Sequence, residues 1–148
     1  VRCGIGLYGY GNSRKESVNL RPIASLKSVI SQIATISVGE SIGYNRGHIC
    51  MVDSKIATIP IGHADGIGRH YGNGVGAVSI NQQKALIVGN VCMDMIMVNV
   101  TKINCKEGDE VTLFNSQKMI QNISDISETI VYETLTAISP RVKKILKE

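Results

Sequence analysis

Short apolar runs separated by turn residues recur along most of this chain and constrain its fold more than any other feature. The clearest runs are five or six residues long and rich in Val and Ile: 76–80, 84–88, 95–100 and 110–114. The fifteen glycines against three prolines supply the turns between them. This spacing predicts a mainly β domain, built as a small barrel or a sandwich of short strands.

Earlier segments carry the same pattern with less regularity. Residues 20–36 alternate in places between apolar and polar side chains, which predicts one long strand with a bulge near Val29 and Ile30. Residues 49–52 and 56–59 flank a polar tripeptide and predict a hairpin. Residues 1–10 read as a short apolar strand that ends in a glycine-containing turn.

The last third has a helical character instead. Ser124 is a candidate N-cap for one short helix, and residues 127–129 can open a second helix around 130–135. Pro140 is expected to end regular structure, leaving 141–146 as a final strand or tail. We therefore expect two short helices after the sheet.

Composition excludes several classes of function. With 148 residues and 43% hydrophobic residues, the chain suits one ordinary core. The net charge of +4 is dispersed except for a basic cluster from Arg141 to Lys147, which we interpret as a solvated terminal segment. Nucleic-acid binding gains no support from this charge pattern, and no apolar run reaches the ~20 residues of a membrane span.

The cysteines and histidines do not form a metal motif. They are isolated from one another, without a Cys-x-x-Cys pair or a zinc-like spacing: Cys3, Cys50, Cys92, Cys105, His48, His63 and His70. We expect four reduced thiols in a cytoplasmic protein, with Cys50 and Cys92 in the core.

Two glycine-rich segments hold the candidate chemistry. In Gly62-His63-Ala64-Asp65-Gly66 a histidine close to a carboxylate suggests acid–base chemistry, but an i, i+2 pair need not face each other, so Asp65 is expected to stabilise the turn rather than act as a base. In residues 88–95 no His or Asn is linked to Cys92 by a pattern, which favours a packed cysteine over a nucleophile.

A third segment, 39–47, places Tyr44 inside a polar loop bracketed by glycines. From the residues alone, Tyr44 is either a packing residue or a general acid/base.

Together these segments resemble the carboxyl-terminal domain of the pyridoxal-phosphate-dependent alanine racemases. The resemblance implies that Tyr44 moves the substrate α-proton on one face, and that the backbone amide of Met93 helps to hold the substrate carboxylate. It places His63 and Arg69 at the entrance of the site. Three positions depart from the usual pattern: His63 replaces a Tyr, Asn90 replaces an Arg, and Pro140 replaces a Tyr.

The resemblance also assigns the amino end. Residues 1–12 match the last strand of an α/β barrel, and 13–148 match the β-domain that follows it. Arg2 corresponds to the arginine at the cofactor's pyridine nitrogen, and the amides of Gly4 and Ile5 correspond to its phosphate contacts. The lysine that carries the cofactor is expected in a barrel preceding Val1, so this chain alone is expected to be inactive.

The implied enzyme is a homodimer that interconverts L- and D-alanine for cell-wall peptidoglycan synthesis, with this domain completing the partner's site. Two alternatives stay open: a non-enzymatic β-barrel module for binding a ligand or a protein, and a racemase domain for a broader range of amino acids.

Overall fold

The computed structural model describes residues 3–146 and places nine strands within them. The strands are β1 Leu26–Val29, β2 Gln32–Ile36, β3 Ser41–Ile42, β4 His48–Ile49, β5 Ser54–Ile59, β6 Ala77–Ile80, β7 Gln83–Val88, β8 Ile96–Asn99 and β9 Glu110–Phe114. The α-helices are α1 Arg14–Ser17, α2 Gln117–Ile126 and α3 Val131–Thr136. Short 3-10 turns cover Ile5–Tyr8, Tyr44–Arg46, His63–Asp65 and Arg69–Tyr71.

Seven strands form one antiparallel sheet in the order β1-β9-β6-β7-β8-β5-β2, while β3 and β4 form a separate ribbon. The two edge strands β1 and β2 are separated in sequence only by Ile30 and Ser31, so the sheet curls until its edges come close. Hydrogen bonds from the Ile30 amide to Asp109 O at 3.0 Å and from the Ser31 amide to Thr58 O at 2.9 Å hold this junction. The result is an antiparallel half-barrel, which confirms the predicted mainly β class.

The four later strands lie close to their predicted positions. The hairpin of β6 and β7 turns at Asn81 and Gln82, whose φ values of 49° and 63° fit the two-residue turn that matches strand twist.

Two predictions for the earlier strands are wrong. The predicted long strand 20–36 is broken at Ile30, which is only 1% exposed and turns the chain from one sheet edge to the other. The only register irregularity of β1 lies between Leu26 and Lys27, not at Val29. The predicted hairpin of 49–52 with 56–59 does not form either: β5 is a mostly buried strand that pairs with β2 and β8, and β4 pairs with β3 instead.

The amino-terminal segment also differs from its prediction. Instead of a strand, its described part forms the 3-10 turn Ile5–Tyr8, which ends at Gly9 with φ 86°. A Cβ at Gly9 would lie 1.8 Å from Arg21 O, so only glycine permits this approach. Ile5 and Tyr10 are both 5% exposed and belong to the main core.

The side-chain amide of Gln117 fastens the same segment to α2. Its Nε2, with two protons to donate, lies within hydrogen-bond distance of three backbone carbonyls, of Gly9 at 2.8 Å, Ser17 at 2.9 Å and Leu20 at 3.0 Å.

The helices follow the sheet as expected, but the first begins earlier than predicted. Ser116, not Ser124, is its N-cap and accepts a hydrogen bond from the Met119 amide. Ser124 is buried inside α2, where its hydroxyl donates to Ile120 O at 3.0 Å and lies 2.7 Å from the Thr134 hydroxyl. The second predicted helix is confirmed as α3, whereas residues 141–146 form no strand.

Two apolar clusters support the fold. The larger fills the half-barrel and includes fully buried Ile59, Ile80, Ile87, Ile96, Val98, Val111 and Ile120. The smaller lies beside the β3–β4 ribbon and contains Ile42, Cys50, Ile56, Val88, Cys92 and Met97. The predicted packing of Cys50 and Cys92 is therefore confirmed, and this smaller cluster underlies the loop that carries Tyr44.

Candidate functional site

The two glycine-rich segments are joined by their backbones. The His63 amide donates to Cys92 O at 2.9 Å, and the Ala64 amide donates to Met93 O at 2.8 Å. Gly62 permits this approach, because a Cβ there would lie 2.6 Å from Cys92 O and 2.7 Å from Met93 O. The structure thus brings His63 and Met93 side by side, as two adjacent exposed turns.

Asp65 secures the first of these turns. Its side chain is 8% exposed, and its Oδ2 accepts a hydrogen bond from the Gly62 amide at 2.8 Å. The role expected from the sequence, a turn-stabilising carboxylate, is confirmed. A buried carboxylate needs a counter-charge, and Arg141 provides it, with Nε 2.6 Å from Oδ1.

Arg141 also pairs with the second segment, a contact that the sequence did not predict. Its Nη2 lies 2.6 Å from Asp94 Oδ1, while its side chain stays half exposed and Lys143 and Lys144 are exposed, as expected of a solvated terminal segment. Hydrogen bonds to Asp65 first and Asp94 second raise the pKa of the Arg141 guanidinium. The residue was missed because it has no motif of its own: its role depends on a fold contact across 76 residues.

Tyr44 lies on the third loop, and its side chain is 69% exposed. The loop backbone is held by Asn90, whose Nδ2 donates to Tyr44 O at 3.0 Å. Gly47 makes room for this contact, since a Cβ there would lie 2.8 Å from Asn90 Nδ2. Asn90 therefore links the Tyr44 loop to the segment that carries Met93, in place of the arginine that the resemblance leads one to expect.

Met93 offers a free donor. Its carbonyl accepts from Ala64, its side chain is 56% exposed, and its amide N–H has no hydrogen-bond acceptor among residues 3–146. An unpaired amide in a turn can bind a carboxylate oxygen. Arg69, the other residue expected at the entrance, is exposed in the 3-10 turn that follows His63.

The residues expected to contact the cofactor are described only in part, because Arg2 lies outside the described residues. The Ile5 amide already donates to Tyr132 Oη at 2.8 Å, a partner that sequence analysis did not find. A Cβ at Gly4 would collide with the same oxygen, so glycine allows the Tyr132 hydroxyl to approach the backbone here. The hydroxyl that accepts from Ile5 retains its own proton, which it can donate to a phosphate oxygen.

Other kinds of site gain no support in residues 3–146. No three His, Cys, Asp or Glu side chains there converge as metal ligands, and no helix there has the length and apolarity to cross a membrane. An apolar cavity of about 250 Å³ lies between the sheet and the helices, lined in part by Ile67, Tyr71 and Thr134. It includes neither Tyr44, His63 nor Met93.

Comparisons with known proteins agree with this geometry. The family described as "Alanine racemase, C-terminal domain" matches residues 23–146. The alanine racemase of Alteromonas mediterranea is 40% identical over 149 residues, covering 99% of this chain and 41% of that protein. That of Helicobacter pylori strain G27 is 38% identical over 152 residues, covering 97% of this chain and 40% of that protein.

Solved structures show the same relationship. An alanine racemase from Bartonella henselae with covalently bound pyridoxal phosphate superposes with a TM-score of 0.86 at 33% identity, covering 96% of this chain and 40% of that one. An alanine racemase from Clostridium difficile 630 in complex with cycloserine gives 0.84 at 38% identity, covering 92% and 37%. This chain spans about two fifths of the length of the relatives it matches. Because the family match covers most of the chain and the curated relatives are about 40% identical to it, the chain belongs to the alanine racemase family, as its C-terminal domain.

Proposed function

We propose that this chain is the C-terminal part of a pyridoxal-phosphate-dependent racemase that interconverts L- and D-alanine. The observation that carries the proposal is the pairing of the two glycine-rich segments, which leaves the Met93 amide on an exposed turn without an acceptor in the part of the chain that the structure describes. Tyr44 is exposed on a loop tied to the same segment through Asn90. Exposed functional groups of this kind fit an active site that a second protein surface completes.

Each exposed group has a role in the proposed reaction. Tyr44 exchanges a proton with the substrate α-carbon on one face, since a phenol hydroxyl can serve as general acid and its phenolate as general base. The Met93 amide donates to the substrate carboxylate and orients it. His63 and Arg69 line the entrance, where the Arg69 guanidinium attracts an amino-acid carboxylate.

The proposed cofactor is pyridoxal phosphate, which supplies an electron sink for the α-carbanion when it is bound. Gly4 and the Tyr132 hydroxyl would hold one edge of its phosphate, and Arg2 would face the pyridine ring. The Ile5 amide is assigned to Tyr132 rather than directly to the phosphate, because its hydrogen bond is already made.

The proposed partner is a second copy of the whole polypeptide, with this domain facing the barrel of the other subunit. Large apolar side chains surround the Tyr44 loop and support such an interface: Ile49 is 49% exposed, Met51 81% and Val52 65%. We further propose that residues 1–12 continue a preceding barrel, that the enzyme is cytoplasmic, and that its D-alanine enters cell-wall peptidoglycan.

The proposal is tested by comparing this chain with the complete polypeptide that contains it. The complete protein should racemise alanine and give one borohydride-trappable cofactor adduct at a single lysine. This chain alone should do neither, and any lysine labelling should be scattered and unsaturable. A stoichiometric adduct at one lysine of this chain would contradict the placement of the cofactor lysine in the barrel.

The same preparation separates the alternatives. Faster turnover of a bulkier amino acid than of alanine would favour a racemase of broader specificity. This alternative is worth testing because His63 stands at the entrance where the family pattern has a Tyr. No racemisation of any amino acid by the complete polypeptide would favour a non-enzymatic binding module.

A further inference from the structure

The Arg141 guanidinium lies where both glycine-rich segments meet the carboxyl-terminal part of the chain. We propose that Arg141 is a positioning residue: by bridging Asp65 and Asp94, it fixes the turn that presents the Met93 amide. The inference rests on the proposed function only for its kinetic consequence, because the position of the turn can be measured on this chain.

The Asp65 side holds the guanidinium in place. Nε and Nη2 of Arg141 lie 2.6 Å and 3.4 Å from the two carboxylate oxygens of Asp65. The Arg141 segment is also packed against this loop, since the Ser139 amide donates to Asp65 O at 3.3 Å. A Cβ at Gly66 would lie 2.5 Å from Ala137 O, which shows how closely the two backbones approach. The contacts with the Asp65 loop therefore order the Arg141 side chain independently of Asp94.

The contact between Arg141 and Asp94 benefits from this ordering of the guanidinium. The Asp94 side chain is 60% exposed, and an exposed ion pair ordinarily contributes little, because ordering two long side chains offsets the attraction. Here Asp65 has already fixed the guanidinium. Forming the Asp94 contact therefore costs only the conformational entropy of one short side chain, that of Asp94.

Met93 is consequently restrained on both sides. On its amino-terminal side the Cys92 carbonyl accepts from the His63 amide at 2.9 Å, and on its carboxyl-terminal side Asp94 is held by Arg141 at 2.6 Å. With both neighbours fixed, the turn has one position for the free Met93 amide.

Lysine cannot replace this arginine. Arg141 uses Nε toward Asp65 and Nη2 toward Asp94, two nitrogens of one rigid plane. An ammonium group is a single point charge on a flexible stem, so a lysine would pair with the buried Asp65 and release Asp94.

The test has a structural arm on this chain. Asp94→Asn keeps the buried Asp65–Arg141 pair and so should preserve the fold, while it weakens the bridge to the turn. In ¹⁵N spectra, Asp94→Asn and Arg141→Lys should shift the Met93 amide resonance in the same direction. The control Lys143→Ala, which removes an exposed positive charge two residues from Arg141, should leave that resonance unmoved. An unmoved Met93 resonance in a folded Asp94→Asn variant would overturn the proposal.

The kinetic arm uses the complete polypeptide. Arg141→Lys and Asp94→Asn should each lower kcat/KM for alanine by up to about 10²-fold, mainly through KM, because a displaced amide orients the carboxylate poorly. The double variant should be about as impaired as either single variant, since both break one contact. Lys143→Ala should stay within about twofold of the wild type, as expected for an exposed site away from the network.

Fully additive losses in the double variant would overturn the proposal, because they would mean that the two residues act separately. If the wild-type complete polypeptide does not racemise alanine, the proposed function fails instead, and the Met93 resonance still decides whether Arg141 positions the turn.

Discussion

Replacing Gly62 with alanine should strongly destabilise this domain. The φ of −148° at Gly62 is extended backbone that alanine adopts readily, so the cost comes from contact rather than from strain. The new Cβ would lie 2.6 Å from both Cys92 O and the Met95 amide nitrogen and 2.7 Å from Met93 O. All three atoms are backbone, which cannot move aside as a flexible side chain can.

The magnitude follows from two contributions. Forcing an additional methyl group into a well-packed region costs about 1 to 3 kcal/mol. Separating the segments also weakens the bonds from His63 to Cys92 and from Ala64 to Met93, each contributing about 0.5 to 1.5 kcal/mol. We therefore expect the free energy of unfolding to fall by about 2 to 6 kcal/mol, a large share of the ~5 to 15 kcal/mol typical of a domain.

Gly68 offers a matched control in the same loop. Its φ of −61° and ψ of 147° suit alanine, and a Cβ there would have no neighbour nearer than Ser127 Oγ at 3.8 Å. Gly68→Ala should be neutral or stabilise the domain by up to about 1 kcal/mol, because the unfolded chain loses conformational freedom.

Urea unfolding followed by far-ultraviolet circular dichroism measures both variants against the wild type. A loss below about 1 kcal/mol in Gly62→Ala, with an unchanged denaturant slope, would refute the reasoning, because it would mean that the segments part without cost.

Three further predictions concern the Asn90 link, a buried tyrosine and the thiols. Asn90→Ala removes the hydrogen bond to Tyr44 O, so chymotrypsin should cleave after Tyr44 faster than in the wild type; equal cleavage rates would contradict the role of Asn90. Burial first, and Asp125 second, raise the pKa of Tyr71 above its ordinary value of 10, so the native state keeps a proton that the unfolded state releases above pH 10. Below pH 10 the ionisation of Tyr71 should not reduce the free energy of unfolding, and above pH 10 it should reduce it by up to about 1.4 kcal/mol per pH unit. The variant Tyr71→Phe should show a shallower dependence of the free energy of unfolding on pH. An equal dependence in the variant and the wild type would exclude Tyr71 as the cause. Thiol titration after denaturation without reductant should count four free cysteines, and a reproducible count of two would contradict the proposed location in the reducing cytoplasm.

The strand positions were predictable where apolar runs are separated by clear turn residues. Strands β6 to β9 alternate or run apolar between clear turn residues, and their positions follow from local pattern alone. The break at Ile30 was not predictable in this way, because Ile30 has the side chain of a strand residue and bends only because the sheet edges must meet. Likewise β5 is flanked by strands distant in sequence, so a rule that pairs neighbouring runs fails there.

The candidate site likewise contains residues whose roles the sequence predicted and residues whose roles it did not. The roles of Asp65 and of the packed Cys92 follow from turn chemistry and from the absence of a linked base. Arg141, Tyr132 and Asn90 acquire their contacts only when segments 46 to 127 residues apart meet. A basic residue in a basic tail gives no local signal that one guanidinium spans two carboxylates.

The central claim is that Tyr44 is the proton-transferring group that this domain contributes to a racemase. It is tested most directly by the rates of racemisation of L- and D-alanine by the complete polypeptide carrying Tyr44→Phe, beside His63→Ala. The phenylalanine keeps the volume of the exposed ring and removes only the hydroxyl. We expect Tyr44→Phe to slow both directions together by about 10²- to 10⁴-fold, since the equilibrium between enantiomers is unity, while His63→Ala retains most of the turnover. Near-normal turnover in Tyr44→Phe together with its loss in His63→Ala would contradict the account and move the base to His63.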